Sequence, residues 1–392
     1  MRVFLKWAMR ILLALVLAAV VVGLWKREEI TRLLAVNSLF REDKIVSNFS
    51  NMDAAFLSTP VPRGDGATSE LRYGPAAVLP PDVDDWIEAR SVTALVVLKD
   101  GDIVYENYFL GTTADDKRIS WSMAKSYLSA LVGILLEDGT IASLDDPVTK
   151  YAPLLIGGAY DGATLRNVLQ MASGVTFDED YLDQSSDINR MGRVIALGGK
   201  MDDFTASLKQ RFAEPGAGWQ YVSIDTHVVG MVVRGATGRS IADLLSEKVI
   251  RPLGLEYEPY YLTDGVGTAF VLGGLNMTTR DYARFGQMYL QGGTWQGQEI
   301  VPAAWVAAST VPSAPTAEGE IGYGYQWWIP QGSEAGEYMA RGIYGQYIYI
   351  DTARGVVIAA NAADRLFREP GVNQQNIDMF RAITRSLSPD GT

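Results

Sequence analysis

Residues 121–137 read WSMAKSYLSALVGILLE, and Asp138 and Gly139 follow. No charged residue lies between Lys125 and Glu137. The run therefore reads as a buried helix, with Gly139 as its glycine C-cap. Ser122-Met123-Ala124-Lys125 at its start is the only SxxK in the chain. Positions i and i+3 share a helix face, so the lysine amine is expected to reach the serine hydroxyl. The Ser122 N–H falls in the first turn, where the helix offers no acceptor. With the helix dipole behind it, that N–H suits a developing oxyanion. Burial of a lysine among apolar side chains lowers its pKa, and a neutral amine can act as a base for a serine nucleophile. Taken alone the pattern is weak, because chance supplies on the order of one SxxK per few hundred residues. The competing reading is an N-cap serine followed by a solvated lysine.

Upstream, Val92–Phe109 (VTALVVLKDGDIVYENYF) holds two β-rich runs around Lys99-Asp100-Gly101-Asp102, which predicts a hairpin. Before it, residues 26–74 read as a connector, helical at first, and the Pro/Gly-rich stretch from Pro60 to Pro81 reads as loop. Downstream, residues 140–290 read as mainly helical, with loops at Asp145–Pro147, Gly157–Gly162 and Phe177–Asp187. Aromatic and β-branched runs at Tyr323–Ile329, Glu337–Arg341, Gln346–Asp351 and Gly355–Ala360 predict strands, and Gln374–Leu387 has helical spacing. The expected fold is α/β: an antiparallel sheet from both chain ends, flanking helices and a mainly helical middle region. Its domain is expected over 75–392.

Composition removes several functions. The net charge is −12, with no basic tract beyond the first residues, which argues against nucleic acid as a partner. There is no cysteine, so thiolate nucleophiles, disulfides and cysteine metal sites are excluded. His227 is the only histidine, so HExxH zinc sites are impossible and any Ser-His-Asp triad would have to use it. It sits in an apolar helical run, where a packed helix residue is the plainer reading. Neither GxGxxG nor a P-loop pattern occurs.

Three further features accompany the SxxK. Tyr221-Val222-Ser223 follows the loop Pro215–Gly218 and precedes another apolar run. Gln170-Met171-Ala172-Ser173-Gly174-Val175 forms a second context. Ala340-Arg341-Gly342-Ile343, then Gly345-Gln346, lies in the strand-rich part. With Leu144-Asp145-Asp146-Pro147-Val148, residues 276–286 (NMTTRDYARFG) and residues 323–328 (YGYQWW), the chain resembles the penicillin-recognising serine hydrolases. These comprise class C β-lactamases, related DD-peptidases and esterases, and the pattern is most similar to the 6-aminohexanoate-dimer hydrolases. The resemblance runs from about residue 75 to 387.

The resemblance implies an acylated nucleophile at Ser122, its proton acceptor at Lys125, and at Tyr221 the tyrosine of a YxN motif that relays protons to the leaving group. Ser223 stands where that motif has Asn. The KTG-type motif falls on Ala340-Arg341-Gly342 without its Lys or His. The oxyanion hole would pair the Ser122 N–H with that of Ile343. Tyr181 resembles a tyrosine that contacts the scissile amide nitrogen, and Ser223, Gly342 and Gly345 are further expected substrate neighbours. No cofactor or metal is implied. Neighbouring strand residues face opposite ways, so Arg341 is not expected to replace the cation missing at Ala340. Esters and linear amides should then be preferred over substrates with a carboxylate beside the scissile carbonyl. The runner-up is a DD-peptidase or β-lactamase acting on peptidoglycan-like substrates. An alternative of another class is an inactive membrane-tethered binding protein, against which the intact Ser122, Lys125 and Tyr221 count.

Residues 1–25 carry Arg2, Lys6 and Arg10 and then no charge from Ile11 to Trp25. Counted from Trp7, the stretch nears the ~20 residues that span a bilayer. The basic bias favours a cytoplasmic amino terminus, hence a single-pass inner-membrane anchor with the catalytic part periplasmic. A cleaved signal peptide is the alternative. The acidic loop Asp178–Asp187 reads as solvated, or as a rim that attracts an amine or calcium. The tryptophans read mostly as core, with Trp327 or Trp328 near the site.

Overall fold

The computed structural model describes residues 2–181 and 183–387. Seven strands build the main sheet: β1 (Val92–Lys99), β2 (Asp102–Tyr108), β3 (Gly322–Tyr323), β4 (Trp328–Ile329), β5 (Glu337–Gly342), β6 (Gln346–Asp351) and β7 (Val356–Ala362). They lie in the order β2-β1-β7-β6-β5-β4-β3. Every neighbouring pair is antiparallel. Segments from both ends of the chain thus meet at the β1–β7 pair, where Val97 faces Ile358 and Leu95 faces Ala360.

The central strands are apolar on both sides because both sides are covered. Side chains alternate between faces with period two. Val96, Leu98, Ile348, Ile350, Val357 and Ala359 share a core with the Ala124–Glu137 and Thr279–Leu290 helices. Their neighbours Leu95, Val97, Tyr349, Val356 and Ile358 join Trp86 and Phe380, from the Val83–Ala89 and Val372–Ser386 helices, on the other face. The middle region is largely helical. It also contributes Tyr260–Leu262 and Leu275–Met277 to a small sheet with Ser58–Pro60 and Arg118–Ile119.

Two expectations change. The run Tyr323–Ile329 is not one strand but the antiparallel pair β3 and β4. Gln326 turns the chain between them at φ 64°. Its amide holds the turn by donating to Val168 O (3.2 Å) and Leu169 O (2.8 Å) and accepting from Thr226 Oγ1 at 2.8 Å. The stretch 26–74 is more than a connector. Leu39, Ile45, Phe49, Met52 and Val61 are buried in the main core. Buried Arg118 clasps the Ile45–Ser50 helix through Val46 O (2.7 Å) and Ser50 Oγ (2.6 Å). Arg32 donates to Ala196 O at 2.9 Å, which satisfies a terminal carbonyl of the Asp187–Ala196 helix. Helix Arg2–Trp25 stays outside this core. Its Phe4–Trp25 portion is long and apolar enough to cross a membrane, by length and composition.

Candidate active site

Trp121–Met123 forms a single 3₁₀ turn that leads into the Ala124–Glu137 helix. Trp121 enters it at φ 42°, a left-handed conformation that is strained for a bulky residue. The turn presents Ser122, half-buried, at the head of the helix. Lys125 is 1% exposed. Its Nζ lies 3.2 Å from Ser122 Oγ, 3.3 Å from Ser223 Oγ and 2.7 Å from Leu272 O. Burial pulls its pKa down to about 7, partly opposed by the negative charges of Glu179 and Asp225. A neutral amine keeps two N–H donors, enough for Leu272 O and Ser223 Oγ, and turns its lone pair to the Ser122 hydroxyl.

Tyr221 precedes the Ser223–Thr237 helix and stacks on Trp328, with ring centroids 4.9 Å apart. Lys125 Nζ lies 5.5 Å from the centre of its ring. Burial pushes the phenol far above its ordinary range, with the hydroxyls of Ser122 and Ser223 opposing, so it is a proton donor at neutral pH. Ser223 spends its hydroxyl on Glu179 and Lys125.

Glu179 was not anticipated as a site residue. Its carboxylate accepts the Ser223 N–H at 2.7 Å and the Tyr181 hydroxyl at 2.8 Å, besides the Ser223 hydroxyl. It thereby caps the Ser223–Thr237 helix and faces Lys125. Burial raises its pKa, and Lys125 opposes that rise. The signal was alternation: Phe177, Glu179 and Tyr181 turn inward while Thr176, Asp178 and Asp180 are exposed. The solvated reading holds for those exposed positions and fails for Glu179.

The end of β5 closes the site. Gly342 presses on the Trp121–Met123 turn so tightly that a Cβ there would lie 2.5 Å from Ser120 O and 3.1 Å from Ser122 N. Only glycine allows this approach. Ile343 follows in the hairpin loop and borders Ser122. Gln346 steadies that loop by donating to Tyr344 O (3.1 Å) and Ala362 O (2.7 Å), and it is held in turn by Asn361 Nδ2 at 2.8 Å. Gly345 is a turn residue at φ 84° against Ala362 and lines neither space beside Ser122.

Two spaces meet at Ser122, Tyr181 and Ile343. One is a cleft of about 520 Å³ bordered by Tyr221, Glu179, Trp328, Arg341 and Arg368. The other is a cavity of about 130 Å³ with apolar walls, including Phe40, Phe270 and Leu272. The strand alternation holds, since Ala340 packs in the main core while Arg341 stands over Trp328 at 4.6 Å. Arg341 nevertheless reaches the cleft. Its long side chain is carried to the rim by Trp328 and by Asn373, which accepts its hydrogen bond at 2.9 Å. Among the described residues it has no carboxylate partner, whereas Arg368 pairs with Asp180 at 3.0 Å.

His227 is buried one turn beyond Ser223 on the same helix, its Nε2 lies 2.8 Å from Asp202 Oδ1, and it lines neither space beside Ser122. Trp327 is core and Trp328 lines the cleft. Among the described residues no group of three or more His, Asp or Glu is placed to hold a metal ion.

The profile of the Beta-lactamase family matches residues 83–374. The chain belongs to the beta-lactamase family. It is 31% identical over 326 residues to the 6-aminohexanoate-dimer hydrolase of Paenarthrobacter ureafaciens, covering 79% of this chain and 80% of that one. Esterase EstB of Burkholderia gladioli is 33% identical over 147 residues, 34% of this chain and 36% of its own. A provisionally named 6-aminohexanoate-dimer hydrolase from Bacillus anthracis superposes with a TM-score of 0.79 at 25% identity, covering 89% of this chain and 96% of that one. This beta-lactamase-family protein is therefore a serine hydrolase by descent, with the antiparallel sheet and flanking helices of that fold.

Proposed function

We propose that this protein hydrolyses small amides or esters through an acyl-enzyme on Ser122. The observation that carries the reading is the environment of the Lys125 amine: two acceptors, Leu272 O and Ser223 Oγ, and one hydroxyl to deprotonate. The Ser122 proton passes to the Lys125 nitrogen as Oγ bonds to the substrate carbonyl carbon. The oxyanion is held between the Ser122 and Ile343 N–H groups. The Tyr221 phenol protonates the departing nitrogen or oxygen and recovers its proton through Lys125. Water then cleaves the ester on Ser122 by the reverse transfers. Tyr181 and Gly342 border the substrate. The Phe4–Trp25 helix serves as a signal anchor that places the catalytic part outside the cytoplasm, so the full chain should fractionate with membranes. A mature amino terminus found after residue 20 would replace the anchor with a cleaved signal.

The test is a panel of a p-nitrophenyl ester, a short linear amide, a D-Ala-D-Ala peptide and nitrocefin. The strand face that Gly342 turns toward Ser122 carries Ala340 and no cation. Ester and linear-amide kcat/KM should therefore exceed that for nitrocefin by at least about tenfold, ~1.4 kcal/mol. Arg341 at the cleft rim favours a second reading, recognition of a substrate carboxylate by a DD-peptidase or β-lactamase. Nitrocefin turnover equal to the best ester would establish it.

A further inference from the structure

One wall of the apolar cavity beside Ser122 is built by residues 36–56, which lie before the region matched by the family profile. Leu39, Phe40, Met52 and Phe56 form one wall, and Ile188, Met191, Phe270 and Leu272 the other. Apart from the buried Trp121 indole N–H, which has no partner among the described residues, the polar side chains at its edge are engaged. The Asn189 amide donates to Asp183 O (2.8 Å) and Tyr181 O (3.1 Å), and Ser223 is bound to Glu179 and Lys125. A space of this kind binds apolar groups and gains little from water.

Its position relative to the proton donor gives it a direction. Tyr221 borders only the polar cleft, and Ser122, Tyr181 and Ile343 border both spaces. A leaving group protonated by Tyr221 must depart into the cleft. The other substituent of the carbonyl carbon is then directed at the cavity. Resting on the acyl-enzyme reading above, we propose that the acyl half of the substrate is an unbranched or aromatic apolar group of roughly six carbons, the size that a cavity near 150 Å³ accepts as benzene. It seats between the N-terminal wall and Phe270.

The wall is part of the folded site. Phe40 stacks on Tyr344 at 4.7 Å, beside the Ile343 loop, and the helix at Arg27–Ser38 is fastened by Arg32 to Ala196 O. Gly192, on the Asp187–Ala196 helix, lines the cavity, and a Cβ there meets nothing within 4 Å. The Cβ of a larger side chain at this position meets open space, and replacing a mid-helix glycine favours the helix.

The experiment measures kcat/KM for p-nitrophenyl acetate, butyrate, hexanoate and octanoate on full-length protein in detergent. These share a leaving group, so only the acyl side varies. Each buried methylene is worth up to about fourfold (~0.8 kcal/mol). The expected result is a rise of at least about tenfold from acetate to hexanoate and no further gain at octanoate. Gly192→Leu should lower the hexanoate-to-acetate ratio of kcat/KM at least about fivefold. Phe56→Ala, which opens the wall, should move the optimum to octanoate. A flat or falling series in wild type with Ser122-dependent acetate turnover, or a Gly192→Leu series unchanged from wild type, overturns the inference and leaves the acyl-enzyme reading standing. If none of the four esters is turned over and Ser122 does not acylate, both fall.

Discussion

On the Tyr221 side of Ser122 the space is about 520 Å³, and two arginines, Glu179 and a phenol reach it; on the Phe270 side it is about 130 Å³ and its walls are apolar. The same hydroxyl faces both. The charged groups stand on the first side, where the proposed mechanism moves its protons and releases a polar fragment. The second side offers mostly apolar surface, and what it would contribute to the proposed reaction is binding energy. The division also follows the chain. Family segments supply the polar side, while much of the apolar wall comes from residues 36–56, before the family match begins.

Removing the base should have the largest effect. Lys125→Ala is expected to lower kcat by about 10³-fold or more for every acyl length, because nucleophile and base act as a unit. A loss confined to one chain length would place Lys125 in binding instead. Gly342→Ala comes next. Its new Cβ would crowd Ser120 O and Ser122 N, so the oxyanion donor is displaced and kcat should fall about 10²-fold with little change in KM. A purely structural role would show instead as a loss of thermal stability at unchanged kcat.

Arg341→Ala tests the polar side alone. It should raise KM about tenfold for substrates whose leaving group carries a carboxylate and leave neutral p-nitrophenyl esters unaffected. Equal effects on both would deny the cleft its part in reading charge. The smallest effect concerns pH. The Lys125 pKa is held near 7, so kcat/KM should rise with pH through that region and level off above it as the amine loses its proton. The charge on Glu179 raises that pKa. Glu179→Gln should therefore shift the rising limb to lower pH, and a shift to higher pH would contradict the assigned sign.

Much of the polar side was legible in the sequence. The Trp121–Glu137 run, the Val92–Phe109 hairpin and the C-terminal strands announce themselves by periodicity and turn residues, and SxxK and Tyr221-Val222-Ser223 fall together in space. The apolar side was not. Residues 26–74 have a mixed composition without a clean period, because Leu39, just past the Arg27–Ser38 helix, and Phe49 and Met52, on short helices, are single apolar anchors. Glu179 was hidden by its acidic neighbours, although alternation with Phe177 and Tyr181 marks it. Arg341 was read by strand parity, which gives a Cβ direction and not the reach of a guanidinium. Gln326 looks like a strand residue, and only the carbonyls of Val168 and Leu169 make its turn intelligible.

The central claim, a histidine-free Ser122 nucleophile activated by Lys125, is tested most directly by intact-protein mass spectrometry after exposure to a fluorophosphonate. One adduct is expected on wild type and on His227→Gln, mapped to the peptide containing Ser122, with none on Ser122→Ala and a strongly slowed one on Lys125→Ala. Labelling of folded Ser122→Ala at the wild-type rate, or its loss in folded His227→Gln, would contradict the account.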